Sequence, residues 1–228
     1  MNEADSMGAR MSARERLQRL PEVFTGPELG LCFGWRSGIA STYLANWRAG
    51  GLIKSLGGRS DVHMNLVVNP QVNAEVALRR AFPLSCRLGV DVLREAAWTT
   101  QITHCPEVAV PSDGPLYAVE GFDLVTRSPN WFKRVLPGVE FVQGGVDRLR
   151  PAWALADMIA RAQDRRVQGA WLLDPDDLDL EGVAQDRYLS AATVAFGLDP
   201  NLLTPEGYAD LYDELRRGRG LHERSRGG

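Results

Sequence analysis

The chain is poor in the residues that build metal and disulfide frameworks. Three cysteines and three histidines occur among 228 residues. Cys32, Cys86 and Cys105 are odd in number and lack Cys-x-x-Cys spacing. That argues against a disulfide scaffold and a zinc site, and leaves a reduced, cytoplasmic protein with buried thiols as the expectation. No apolar run reaches the length that spans a bilayer, so no membrane partner is expected. The opening MNEADSMGAR is acidic and polar, unlike a secretory signal. A phosphate-binding loop is missing as well, because Gly144-Gly145 is followed by neither a lysine nor a helix start. A formal net charge of −3 argues against an all-over basic coat for nucleic acid.

What is present is unevenly placed. Residues 1–60 carry eight basic side chains against five acidic ones, and the remainder is acidic. A basic head on an acidic body suits a local DNA site. The apolar fraction of 44% permits a sizeable core, and the length suits one large domain or two small ones.

The head has the clearest pattern. Ser12 with Glu15, and Thr25 with Glu28, read as two capping boxes, and Pro27 fits a first helical turn. A helix is predicted within 12–20, with Val23-Phe24 an extended connection. A second short helix carries Leu29, Leu31, Cys32 and Phe33 and stops at Gly34. The next helix is predicted from about Arg36 to Ala49. Ala40, Tyr43, Leu44 and Trp47 share one stripe at helical spacing. The opposite side holds Gly38, Ser41, Thr42, Ala45, Asn46 and Ala49, small or hydrogen-bonding residues that let a helix sit deep in a major groove. Leu52–Leu56 and His63–Val68 read as two strands around a GGRSD loop with Arg59 at its tip. The order is that of a helix-turn-helix with a wing. The candidate DNA contacts are Arg36, Ser37, Ser41, Thr42, Asn46, Arg48, Lys54 and Arg59. Arg36 and Ser37 lie where helix N–H groups favour phosphate, and Lys54 and Arg59 suit backbone or minor-groove contact.

Asn69-Pro70 breaks the pattern, so domains are predicted at 12–70 and 72–217, with 1–11 and 218–228 as disordered tails. The body is read as two helices over 72–97 separated near Pro83. Strands are read at Val108–Val110, Leu116–Val119, Phe122–Val125 and Val139–Val142. An amphipathic helix is read at 151–163, and two more helices at Tyr188–Phe196 and Thr204–Arg217. Helices and strands mix without βαβ regularity, which predicts an α+β class: a winged helix-turn-helix followed by a mixed domain.

The body offers no catalytic constellation. The acidic run Asp174, Asp176, Asp177, Asp179 and Glu181 lacks calcium-loop spacing and reads as helix caps. His104-Cys105 beside Glu107 has no partner spacing for zinc. Trp131, placed in a loop before Phe132-Lys133-Arg134, reads as a plug on the core with its cations snorkelling. No enzyme activity, metal or cofactor is expected.

The head from Thr25 through YLANWRAGGLIKSL to the LVV strand resembles the AbiEi family of bacterial antitoxins. So do SCRLGVDVLREAAWTTQIT and VEFVQGGVDRLRPAWALADMIAR in the body, the latter with Leu155-Ala156-Asp157 at a Leu-x-Asp turn. The resemblance spans roughly residues 12–180 and departs from the family at Pro151-Ala152-Trp153. It implies a transcriptional autorepressor whose winged helix binds inverted repeats in its own promoter. It also implies an antitoxin that counters a cognate nucleotidyltransferase toxin without a stable complex. The alternative reading of the residues is a non-enzymatic interaction module that binds a partner protein through the acidic body.

Overall fold

Local capping chemistry starts the first two helices. The computed structural model describes residues 11–114, 116–164, 167 and 171–224, the last seven by backbone alone. Helix α1 (Ala13–Leu17) begins where Ser12 Oγ accepts from Glu15 N at 3.2 Å and Glu15 returns a bond to Ser12 N at 2.7 Å. Thr25 and Glu28 do the same for α2 (Gly26–Phe33), with Pro27 in the first turn. Each reciprocal pair satisfies amide groups that a helix end leaves open.

Two compact units follow from the contacts. Of the described residues, the first takes those within 11–85, 113–124 and 142–146, and the second those within 86–112, 125–141 and 147–224. The sequence places the boundary at 69–73. It lies at Ser85 instead, because α4 (Ala74–Ala81) packs on the first unit's strands. Arg79 then holds the carbonyls of Val142 (3.2 Å) and Gly145 (3.1 Å), which brings a distant stretch into the same unit.

In the first unit, α3 (Ser37–Ala49) follows α2, and strands β1 (Val23–Thr25), β2 (Ile53–Ser55) and β3 (Val62–Asn65) form an antiparallel sheet in the order β1-β3-β2. The extended connection expected at Val23-Phe24 is thus a strand, paired with β3 at Phe24↔His63. Leu17, Phe24, Leu29, Leu44, Trp47 and Ile53 close a core between helices and sheet. Full burial of such a side chain contributes about 1.5–3 kcal/mol.

Strand β3 ends at Asn65 rather than at Val68 as expected. Asn65 is fully buried, and its amide donates to Leu17 O at 2.8 Å. Its carbonyl oxygen accepts from Val67 N and Val68 N, which turns the chain away from the sheet.

His63 is 2% exposed beside Phe24. Burial, aided by the charge of Arg48, lowers its pKa from 6.5 to about 4. The unfolded chain therefore takes up a proton that the folded one refuses between those values. Stability is complete above pH 6.5 and falls as the pH drops toward 4, by up to about 3 kcal/mol. Denaturation midpoints at pH 7 and pH 4.5 should show this loss. His63→Phe should flatten it, and an unchanged acid slope in that variant would contradict the assignment.

The second unit is built on a five-stranded sheet, order β6-β5-β4-β8-β7. Its strands are β4 (Cys86–Leu88), β5 (Glu107–Pro111), β6 (Asp123–Arg127), β7 (Val139–Glu140) and β8 (Asp147–Leu149), with β4 and β8 parallel. Helices α5 (Val90–Glu95), α6 (Pro129–Val135), α7 (Pro151–Gln163), α8 (Leu180–Ala184), α9 (Leu189–Phe196) and α10 (Pro205–Arg224) complete it. The mixture of helices with two sheets is α+β. Helix α7 is the centre of the core: eight successive residues, Ala152 to Ile159, are buried, so it is enclosed on all sides rather than amphipathic as expected.

Several body elements differ from the sequence reading. Cys86–Leu88 lies in a window that reads as helix, yet it is a strand. Cys86 and Leu88 are buried and Arg87 is half-buried, a period of two too short to stand out. Asp147–Leu149 is a strand that no propensity announces. Leu116–Val119 is not one, and Val119 makes only isolated bridges. Trp131 lies in α6 rather than a loop, because Ser128 Oγ accepts from Trp131 N at 3.3 Å and Pro129 opens the helix. Of the thiols, Cys86 alone is buried, and Cys32 is exposed on the outer side of α2. The tail expected to fray from 218 continues as helix to Arg224, while 225–228 and 1–10 lie outside the described residues.

Candidate nucleic-acid interface

The inner stripe of α3 is fixed by its own sequence. Ala40, Leu44 and Trp47 are buried, and Tyr43 stacks on Trp35 at 4.2 Å and 14°. Phe33 also stacks on Trp35, at 4.8 Å. The guanidinium of Arg16, only 6% exposed, lies 5.0 Å over Tyr43 and 5.6 Å over Trp35. A cation on desolvated aromatic faces is worth about 2 kcal/mol. This stack ties α1 to α3 and orients the helix. Gly34 caps α2 with φ at 64°, a left-handed conformation that glycine adopts without strain. Trp35 N then bonds to Gly30 O at 2.9 Å, and Arg36 enters α3 as its extended N-cap.

The orientation leaves the outer face open. Arg36, Ser37, Ser41, Thr42, Asn46 and Arg48 are all exposed, as are Gly38, Ala45 and Ala49. Helix α3 carries no acidic residue, and its cations stand at the two ends, Arg36 and Arg48. Lys54 is exposed on the edge strand β2, and Arg59 is exposed in the loop joining β2 to β3. Arg48 and Lys54 line one groove of about 680 Å³ with Gly57, Gly58 and Ala118–Glu120.

Three details were missed or misassigned by sequence reasoning. The Thr42 hydroxyl donates to Gly38 O at 3.0 Å, so its proton is not available to a ligand and the γ-methyl and oxygen lone pairs remain. Ile39 is 48% exposed on the same outer face, an apolar side chain that helical periodicity alone would have found. Lys54 is paired with Glu120 at 2.8 Å, and this contact holds the Glu120 carboxyl below its usual range. No local signal announces that pair, since the two residues lie far apart in sequence.

The body residues singled out for chemistry are engaged structurally. Asp174 accepts from Asp176 N and from the Tyr212 hydroxyl, Asp177 from Gln101, and Asp179 from Gly182 N. Glu107 pairs with Arg161 at 2.5 Å. His104 is exposed and Cys105 is partly so. Trp131 is 8% exposed and donates to Asp157 at 2.6 Å, while Lys133 and Arg134 face solvent.

No family model and no curated protein matches this chain. Among solved structures, the fold is similar to the crystal structure of RV2827C protein from Mycobacterium tuberculosis. The TM-score is 0.55 at 14% identity, over 89% of this chain and 78% of that one. At such identity the likeness is one of fold. Among the described residues, no helix is long and apolar enough to cross a membrane.

Proposed function

We propose that the first unit is a winged helix that binds duplex DNA. Helix α3 is its recognition helix and the β2–β3 hairpin its wing. The observation that carries this is the exposed, acid-free outer face of α3 with Arg36 and Arg48 at its ends. The topology supports it: a helix, a strand, two helices across a glycine turn, and a hairpin whose returning strand sits in the middle of the sheet. Arg36 and Ser37 hold phosphate at the helix start. Ser41 and Asn46 read base edges, Ile39 and the Thr42 methyl meet thymine methyl groups, and Lys54 and Arg59 serve the backbone beside the wing.

Together with the resemblance to AbiEi antitoxins, this supports the reading of a cytoplasmic transcriptional autorepressor and antitoxin. It occludes a promoter with inverted repeats and counters a cognate nucleotidyltransferase toxin, with no catalysis of its own. Mobility shifts on the upstream region test the DNA arm. Arg36→Ala should weaken binding to every duplex and reduce the log–log salt slope by about 0.9. Asn46→Ala should lose about 1–3 kcal/mol on the cognate site and little on random DNA. Equal losses on both would refute base reading by Asn46. The absence of any shift at low salt would favour docking of a partner protein on the acidic body. Co-expression with a neighbouring nucleotidyltransferase frame tests the antitoxin arm, where growth rescue is expected.

A further inference from the structure

The β2–β3 hairpin is strapped by a segment from far along the chain. Gly57 forms an antiparallel bridge with Val119. A Cβ at position 57 would lie 2.5 Å from Ala118 O and 2.9 Å from the Tyr117 ring, so glycine alone permits this approach. The Tyr117 hydroxyl donates to Ser60 Oγ at 3.0 Å, and its ring packs on Phe82 at 5.3 Å. Seated in this way, the segment delivers Glu120 to Lys54. All of these residues belong to the first unit.

From this geometry we infer that Glu120 is a built-in competitor for the phosphate that Lys54 would otherwise hold, so that the strap sets the strength of DNA binding through the wing. The inference rests on the DNA-binding reading above. The groove that contains Arg48 and Lys54 presents two cations, and Glu120 is the one acid among its lining residues. A phosphate entering it must displace that carboxylate from Lys54 or share the cation with it. Either way the wild-type wing releases about one counterion fewer than its cations allow. The pair is solvent-exposed, 55% at Lys54 and 81% at Glu120, so the exchange needs no unfolding and the strap's backbone bridge can stay in place.

The test is salt-dependent binding of the full chain to duplex DNA. Glu120→Gln should bind several-fold more tightly near 0.1 M salt, with a log–log slope steeper by about 0.9. Lys54→Ala should weaken binding in both backgrounds, but by less in the wild type, where Glu120 already occupies the cation, than in the Glu120→Gln background. This cycle separates local competition from a general change in charge, which would not depend on Lys54. Asp123→Asn, which removes a second charge from the same stretch, should leave the slope unaltered. A slope unmoved by Glu120→Gln in a chain that binds DNA overturns this inference alone. So does a Lys54→Ala loss equal in both backgrounds. A wild-type chain that shifts no duplex at low salt overturns this inference and the DNA-binding reading together.

Discussion

Asp157→Ala is expected to destabilise the second unit by about 3–5 kcal/mol, the cost of stranding one member of a buried charge pair. Asp157 is 2% exposed on the enclosed helix α7. One oxygen accepts from Trp131 Nε1 at 2.6 Å and the other from Arg127 Nη2 at 3.1 Å. Arg127, itself 13% exposed, lies 5.4 Å over the Trp131 ring, so one carboxylate fixes both the cation and the indole. Alanine leaves both donors desolvated with that acceptor gone. Glu107, 4.0 Å from Arg127 and already paired with Arg161, compensates only in part. Asparagine keeps an acceptor for the indole but loses the charge, and should cost less. Urea midpoints at constant slope measure both variants. A loss below about 1 kcal/mol for the alanine variant would mean that the network is not what holds α6 to α7.

Ala45→Glu should abolish DNA binding while leaving the fold intact. Ala45 lies in the middle of the exposed face of α3. Glutamate is a good helix former, and surface changes away from special features usually stay within about 0.5 kcal/mol. An anion introduced there would face both phosphate strands of a major groove. Like-charge juxtaposition of this kind costs several kcal/mol, which is about a hundredfold or more in affinity for cognate and random duplexes alike. Ala45→Gln adds similar bulk without the charge and should retain weak binding. Unimpaired binding by Ala45→Glu with an unchanged melting temperature would place the DNA contact elsewhere on the molecule.

Much of the head is legible from its residues, because its signals act within one or two helical turns. Ser12 with Glu15, Thr25 with Glu28, the stop at Gly34 and the stripe Ala40–Leu44–Trp47 each specify a local geometry without outside help. The same holds for α7, whose predicted limits, 151 and 163, are those observed. The exposure of the candidate contacts on α3 agrees with that periodicity, since the small and polar residues lie on the side opposite the buried stripe.

The body is less legible. Its strands are two to five residues long, and a period of two over so short a run cannot be told from part of a helix. Cys86–Leu88 illustrates this. What makes it a strand is pairing with β5 on one side and β8 on the other, partners about 20 and 60 residues away. Asp147 is harder still, for a charged residue opening a buried strand contradicts composition.

The sequence by itself determined where helices start and stop, which side of α3 is apolar, and that the head has more basic than acidic side chains. Hydrogen bonds and side-chain contacts three or four residues apart suffice for that. Only the tertiary structure decided that Glu120 holds Lys54, that Asp157 serves Trp131 and Arg127, and that 113–124 joins the first unit. Such pairings are chosen by packing and desolvation between segments that no local periodicity connects. Their free energy exists only once the chain has closed on itself.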